Sequence, residues 1–252
     1  MDPSRGTGPR EWSDGLDPRD SNAGDDPREW SPETDPLIPY AYRPSDFQNK
    51  RLNTTRLYEA MEIERRPDLP LVGVVFRGRG GGLDRLLPIL EPALEGLDLR
   101  FAVLADGDPA DRAAKCSVSA RYAGRVAVDR GFSRPMESLL LAGSELILIP
   151  SGEGEAAGPL HEFRDGIVPA AFRYGTVPVA GAGSGLVREF EPVTCKGTGF
   201  VFRSEDPREI AEALSRAVRV YQRPRTFKKL VFQIMRIGAA RRRSGSEDAG
   251  AR

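Results

Sequence analysis

The sequence predicts an α/β protein whose main domain, residues 69–222, is a Rossmann-like, doubly wound parallel sheet. Short apolar runs rich in Val, Leu and Ile alternate along these residues with stretches of helical periodicity, a pattern typical of βαβ units. The runs are continuously apolar, as expected of strands that helices cover on both faces. Right-handed crossovers between parallel strands then make the domain doubly wound.

Residues 1–35 are predicted to be a disordered, acidic and Pro-rich segment. They contain mostly Pro, Gly, Asp, Arg and Ser and almost no aliphatic side chain, so they cannot bury enough apolar surface to offset the chain entropy lost on folding. The sequence PREWS occurs twice, at 9–13 and at 27–31. We interpret the two copies as a local duplication, because two short copies are too few for a repeat architecture.

Residues 36–68 are predicted to form an arm that leads into the domain. Prolines keep its first part extended, and a short helix follows, indicated by Leu52, Leu57 and Met61. The six strands of the domain are predicted within LPLVGVVFR, DLRFAVLA, RVAVD, ELILIPSG, TVPVAG and GTGFVFRS.

Five helices are predicted between and after these strands. The first, LDRLLPILEPALEG, contains Pro88 and Pro92, which are expected to bend or shorten it. The second is the polar stretch DPADRAAKCSVSARYAG, the third is RPMESLLLAG, which ends at Gly143, and the fourth ends in VPAAFRYG. In the fifth, DPREIAEALSRAVRVYQ, Asp206 is the predicted N-cap and Pro207 the first helical residue.

Residues 223–252 are predicted to be a basic amphipathic helix followed by a disordered end, SGSEDAGAR. One face of the helix carries Phe227, Leu230, Val231 and Ile234, and the cations elsewhere are Lys228, Lys229, Arg236 and Arg241–Arg243. We favour docking of the apolar face on the main domain. Binding to a membrane surface or an acidic partner is the alternative, and of these we do not expect membrane contact.

Composition excludes several classes of function. A formal net charge of zero gives the chain no electrostatic reason to bind nucleic acid. Two distant cysteines, Cys116 and Cys195, and a single histidine, His161, predict neither a disulfide framework nor a zinc site. No apolar stretch reaches the roughly 18 residues of a membrane span, and the acidic N-terminus does not look like a secretory signal. We therefore expect a cytoplasmic protein.

Ligands of doubly wound sheets bind at the carboxyl ends of the strands, which selects the loops Arg77–Gly82, Ser151–Asp165 and Gly181–Gly185. In the first loop, the backbone amides of GRGGG suit a diphosphate, although a Gly-rich βα turn is also an ordinary connection. In the second loop, Glu162 is either a ligand-binding carboxylate or a solvated surface group. His161 forms no triad with a serine and an aspartate, so we interpret it as a partly exposed loop imidazole.

Five stretches carry a family resemblance: WSPETDPLIPYAY, PLVGVVFRGRGGGLDRLLP, LEPALEGLDLRFAVLADGDP, FRYGTVPVAGAGSGL and KGTGFVF. In this order, over residues 30–222, they resemble the C-terminal half of a bacterial glycogen synthase or plant-type starch synthase. The resemblance implies a retaining glucosyltransferase of the two-Rossmann-domain (GT-B) architecture. In that family the N-terminal domain binds most of the acceptor glucan, and the two domains close over the donor.

The resemblance assigns roles to loop residues. Arg77 matches an arginine that stabilises the departing ADP, and Glu162 matches a carboxylate that holds the donor glucose, so these two are the catalytic candidates. The positions implied at the diphosphate are Arg79, Gly81, Gly183, Ser184 and Gly185. No metal and no cofactor is implied: ADP-glucose would be the donor substrate, and the nucleotide sugar and an α-glucan would be the partners.

The loops also depart from the family pattern. The family's lysine falls on Gly81, its second acid falls on Ala170, and Ser184 replaces a glycine, which would crowd the backbone approach. Two hypotheses follow. The chain transfers glucose from ADP-glucose to an α-1,4-glucan with a separately encoded N-terminal half, or it is a catalytically degenerate domain that binds a nucleotide sugar or another protein.

Overall fold

The computed structural model describes residues 30–46, 48–76, 82–105, 120–129, 133–150 and 157–249. The helices are α1 (Gln48–Ala60), α2 (Gly82–Gly96), α3 (Arg134–Gly143), α4 (Ala157–Tyr174), α5 (Pro207–Tyr221) and α6 (Pro224–Ala249). The strands are β1 (Leu71–Phe76), β2 (Arg100–Ala105), β3 (Val126–Asp129), β4 (Leu146–Ile149), β5 (Val177–Gly181) and β6 (Phe200–Phe202).

Within the described residues, the six strands form one parallel sheet in the order β3-β2-β1-β4-β5-β6. This order confirms the predicted α/β, doubly wound fold. From β1 the sheet grows through β2 to β3, and from β4 it grows through β5 to β6. The direction of winding therefore reverses between β1 and β4, and the crevice outside their carboxyl ends is where such sheets bind ligands.

The helices pack in two sets that meet where α5 contacts α6. Helix α2 packs against α5, whereas α1, α3, α4 and α6 pack successively against one another. Helix α2 continues past Pro88 and Pro92 to Gly96, so the prolines do not end it. Most of the predicted second helix, in residues 106–119, lies outside the described part of the chain.

Two helix ends follow the sequence signals closely. The Asp206 carboxylate accepts a hydrogen bond from the Arg208 amide at 2.8 Å, and Pro207 opens α5 as predicted. At the end of α4, Gly175 adopts a φ of +65°. The Gly175 amide donates to the Phe172 carbonyl, and the Thr176 amide donates to the Ala171 carbonyl. This is a Schellman cap, which favours glycine and turns the chain directly into β5.

The C-terminal helix α6 docks on the domain, as the favoured interpretation predicted. Leu230, Val231 and Ile234 are buried, and α6 packs along α4. The close approach requires a glycine, because a Cβ on Gly238 would lie 2.7 Å from the Arg173 backbone nitrogen. The helix continues to Ala249, beyond residue 243, where the sequence pattern predicted it to end. No helix among the described residues is long and apolar enough to cross a membrane.

The arm is fastened to the domain through α1. Lys50 is buried, and its ammonium group donates to the Leu141 carbonyl at 3.2 Å, the Ala142 carbonyl at 3.1 Å and the Thr176 hydroxyl at 3.0 Å. The two carbonyls belong to the last turn of α3, where carbonyls have no partner inside the helix. Lys50 therefore caps the negative end of the α3 dipole.

A half-buried carboxylate accompanies this cap. Glu145 accepts hydrogen bonds from the Leu71 amide at 2.9 Å and from the Thr54 hydroxyl at 3.4 Å. Burial lowers the pKa of Lys50 to about 7 and raises the pKa of Glu145 to about 7, and the opposite charge of each partner opposes the other's shift. The pair joins α1 to the starts of β1 and β4, at the edge of the sheet opposite the predicted ligand site.

Candidate functional site

The three strands predicted to hold the ligand end side by side. Val74 of β1 pairs with Leu148 of β4, which pairs with Val179 of β5. From this level β1 and β5 each run two further residues, to Phe76 and Gly181, and β4 ends one residue on. Since neighbouring strands lie about 4.8 Å apart, the three strand ends fall within about 10 Å of one another.

Two helices begin at the same edge. Helix α2 starts at Gly82, soon after β1, and α4 starts at Ala157, soon after β4. The first turn of a helix carries backbone N–H groups without partners inside the helix, together with the positive end of the helix dipole. Two such ends beside the switch point favour a negatively charged ligand. The residues that connect strand to helix, including Arg77, Arg79 and Gly81, lie outside the described part of the chain.

The second predicted loop is shorter than the sequence suggested. Residues 157–165 belong to α4 instead of to a loop, so the loop prediction for them is wrong. Pro159 is compatible with this start because proline is tolerated in the first turn of a helix. Glu162 is the sixth residue of α4, and His161 precedes it in the helix. Ala170, where the family has its second acid, is fully buried.

The third loop is a tight turn whose two glycines, Gly183 and Gly185, are exposed. Ala182–Ser184 form one turn of 3₁₀ helix, and Gly185 then adopts a φ of +61°, in the left-handed region. Both Gly183 and Gly185 face open space, because a Cβ built on either would meet no atom within 4 Å. The Ser184 hydroxyl accepts a hydrogen bond from the Val187 amide at 3.4 Å. The Ser184 hydroxyl thus bonds within its own loop, and the crowding of a ligand's approach by Ser184 stays a prediction.

After this turn the chain folds into a short hairpin beside the edge strand β6. Glu191 pairs with Lys196 across the hairpin, and Gly197 has a φ of +108°. The Glu189 carboxylate accepts from the Val201 amide at 2.7 Å and pairs with Arg216 of α5 at 2.8 Å. These contacts satisfy the open edge of β6 and hold the hairpin against α5.

A pocket of about 220 Å³ lies between this hairpin and α5. Phe190, Pro192 and Phe200 form its apolar part, and Arg216 and Arg219 are on its α5 side. Of the predicted site residues that the structure describes, Gly183, Ser184 and Gly185 do not line this pocket. It lies beyond β6, whereas the predicted site is at the ends of β1, β4 and β5.

Sequence reasoning missed a buried polar network that fixes residues 30–42. The Asp35 carboxylate accepts from the Leu37 amide at 2.8 Å and from the Tyr174 hydroxyl. Burial first, and then Asp35, raise the pKa of Tyr174, so the hydroxyl keeps its proton and donates it. The Tyr42 hydroxyl donates to the Tyr174 carbonyl at 2.7 Å. The sequence signal that could have revealed this network is the aspartate that stands beside Pro, Leu and Ile in DPLIP.

Comparisons with known proteins agree with the motifs. The chain is 28% identical over 217 residues to a glycogen synthase of Geobacillus stearothermophilus, a match that covers 84% of the chain and 43% of that relative. It is 30% identical over 203 residues to glycogen synthase 1 of Methylococcus capsulatus, covering 77% of the chain and 39% of the relative. The chain is a homologue of the C-terminal half of glycogen synthases. No family model matches it.

A solved structure shows the same fold. The catalytic domain of starch synthase IV from Arabidopsis thaliana, bound to ADP and acarbose, superposes with a TM-score of 0.66 at 23% identity, covering 82% of the chain and 42% of that structure. The homology to glycogen synthases confirms the family resemblance of the five stretches, and with it the relationship to the C-terminal half of glycogen synthases of GT-B type. The chain spans about two-fifths of the length of the curated relatives it matches.

Proposed function

We propose that the chain is the donor-binding half of a glucosyltransferase that transfers glucose from ADP-glucose to an α-1,4-glucan. The observation that carries the proposal is that β1, β4 and β5 end side by side, at the point where the winding of the sheet reverses. Two helix starts and the open turn Gly183–Gly185 meet there. Backbone amides at such an edge bind a diphosphate without a metal ion.

The proposed roles follow from charge development in the transition state. When the bond between glucose and diphosphate breaks, negative charge grows on the diphosphate and positive charge on the sugar ring. Arg77, the residue after β1, would stabilise the departing diphosphate, and Glu162 of α4 would stabilise the developing oxocarbenium centre. The amides of Gly183–Gly185 would hold the diphosphate in place. The acceptor hydroxyl would form the new glycosidic bond and give its proton to the departing diphosphate, so the transfer would need no cofactor.

The acceptor side of the cleft is proposed to come from a separately encoded N-terminal half. In a two-domain enzyme of this type, closure of the domains aligns donor and acceptor and excludes water, which supplies much of the rate. The partners would then be the nucleotide sugar, the α-glucan and the second domain. The chain alone would bind the donor and turn it over slowly or not at all.

A second candidate function is donor binding without catalysis. Ala170 favours it, because this position is fully buried in α4 and carries no acid. Gly81 favours it too, since the family's lysine, a second cation for the leaving diphosphate, is absent there. On this alternative the chain would be a degenerate nucleotide-sugar-binding or interaction domain.

Donor binding is measured by calorimetric titration of the full chain with ADP-glucose. We expect saturable binding that Arg77→Ala weakens about 10- to 100-fold, the equivalent of one hydrogen bond to a charged group. Arg225→Ala removes an exposed arginine of α6 and should leave the affinity unchanged. Absence of binding by the wild-type chain, or equal losses in both variants, would contradict the proposal.

Turnover separates the two candidate functions. The chain is mixed with the separately expressed N-terminal half of a glycogen synthase, and incorporation of labelled glucose into glycogen is measured. The first function predicts incorporation that Glu162→Ala abolishes while Glu95→Ala, a change at an exposed site near the end of α2, leaves it intact. Binding without incorporation under these conditions would support the degenerate domain.

A further inference from the structure

Residues Arg134, Arg173 and Tyr174 form a set of donors around the start of the arm, here called the anchor cradle. The Arg134 guanidinium lies 3.2 Å from the centre of the Trp30 ring, which is buried. Arg173 donates a hydrogen bond to the Trp30 carbonyl, and the Tyr174 hydroxyl donates to Asp35. The cradle therefore recognises an aromatic ring and, five residues later, a carboxylate.

The motif held by the cradle occurs a second time in the chain. Residues 27–36 read PREWSPETDP, and residues 9–18 read PREWSDGLDP. The two copies share the tryptophan, the serine after it, and the Asp-Pro pair at the same distance from the tryptophan. They differ only at three central positions, of which Glu33 and Thr34 are exposed in the docked copy. The duplication thus keeps the side chains that the cradle contacts, in their spacing.

We propose that the anchor cradle binds either copy of this motif, so that residues 9–18 are a second, weaker ligand for it. Trp12 would take the position of Trp30 under Arg134, and Asp17 would take the position of Asp35 beside Tyr174. The arm then has two docking registers that differ by 18 residues. Exchange between them changes the length of chain between the cradle and α1.

The two registers differ in strength for identifiable reasons. The docked copy also buries Pro32, Leu37 and Ile38, where the first copy has Asp14, Arg19 and Asp20. In the docked register residues 36–47 connect the motif to α1, whereas residues 18–47 would do so in the other. Closing the longer loop disfavours the first copy by roughly fourfold. The docked copy, residues 27–36, therefore occupies the cradle until its own contacts are weakened.

Fluorescence of the full chain tests the exchange, because Trp12 and Trp30 are its two tryptophans. In Trp30→Ala the docked copy loses its ring, and Trp12 is the sole reporter. We expect its emission to shift to shorter wavelength and its quenching by acrylamide to be several-fold weaker than in the matched control, Trp30→Ala with Asp17→Ala. Equal quenching of Trp12 in the folded variant and in the control overturns the proposal.

A second variant decides the matter if Trp30→Ala does not fold, which circular dichroism reveals. Here the first copy is strengthened by Asp14→Pro, Arg19→Leu and Asp20→Ile, while Trp30→Phe keeps an aromatic ring under Arg134. The first copy then carries the same apolar anchors as the docked copy, and Trp12 must become protected from acrylamide. If acrylamide quenches Trp12 as strongly as it does in the same variant with Asp17→Ala, the cradle does not bind the first copy.

Discussion

Replacing Lys50 by methionine is expected to lower the free energy of unfolding by about 1–3 kcal/mol, the cost of leaving buried carbonyls without their hydrogen-bond donor. The methionine fills a similar volume, but the Leu141 and Ala142 carbonyls lose the donor that caps α3. The half-buried Glu145 also loses the nearby positive charge of Lys50. Urea unfolding followed by circular dichroism measures the change.

The neighbouring residue provides the matched control. Arg51 has a long cationic side chain on the same helix, but it is exposed, so Arg51→Met should change the free energy of unfolding by less than about 0.5 kcal/mol. Equal effects of the two substitutions would show that Lys50 does not cap α3. The double change Lys50→Met with Glu145→Gln should recover part of the loss, because it no longer leaves a half-buried carboxylate without the nearby positive charge.

The second large effect is expected at Gly197, in the hairpin beside β6. Gly197→Ala should destabilise the protein by about 2–5 kcal/mol, since it combines backbone strain with overpacking. A Cβ there would lie 2.6 Å from both the Glu189 carbonyl carbon and the Phe190 Cα, and the φ of +108° is one that alanine rarely adopts. The loop cannot easily move away, because the Gln233 side chain donates to the Gly197 carbonyl at 2.6 Å.

Thermal and urea unfolding of Gly197→Ala and Gly96→Ala test this account. Gly96 ends α2, and a Cβ there would meet no atom within 4 Å, so its substitution should be close to neutral. If the two alanine variants melt together, then the hairpin relaxes around the added methyl group. The geometry described for Gly197 would then not be essential to the fold.

Much of this fold follows from the sequence. Each predicted strand is present, because a continuous apolar run bounded by Gly, Pro or Asp has few alternatives to a buried strand. Asp206 and Gly175 mark helix ends because capping depends on local geometry, a side-chain acceptor at one and a left-handed backbone at the other. The strand order was not predicted strand by strand, since it depends on contacts between distant segments.

The features that sequence reasoning did not predict also have physical causes. The start of α4 was missed because GEGEAAGPL has no apolar periodicity and contains Pro159, which marks a loop unless it lies in a first helical turn. The burial of Lys50 could not be inferred, because its partners are backbone carbonyls of a distant helix. At the candidate site, sequence reasoning selected three strand ends through the rule for doubly wound sheets, and these strands lie side by side in the sheet. The roles of Arg77 and Glu162 remain predictions.

Amide hydrogen exchange of the full chain, with and without ADP-glucose, shows whether the ends of β1, β4 and β5 bind the donor. We expect slower exchange with the nucleotide sugar in the peptides that follow β1 and β4 and in the peptide that contains Gly183, with little change around Lys50 at the opposite edge. Donor binding at these strand ends is ruled out if the three peptides exchange at the same rate with and without saturating ADP-glucose, or if protection appears only in the hairpin beside β6.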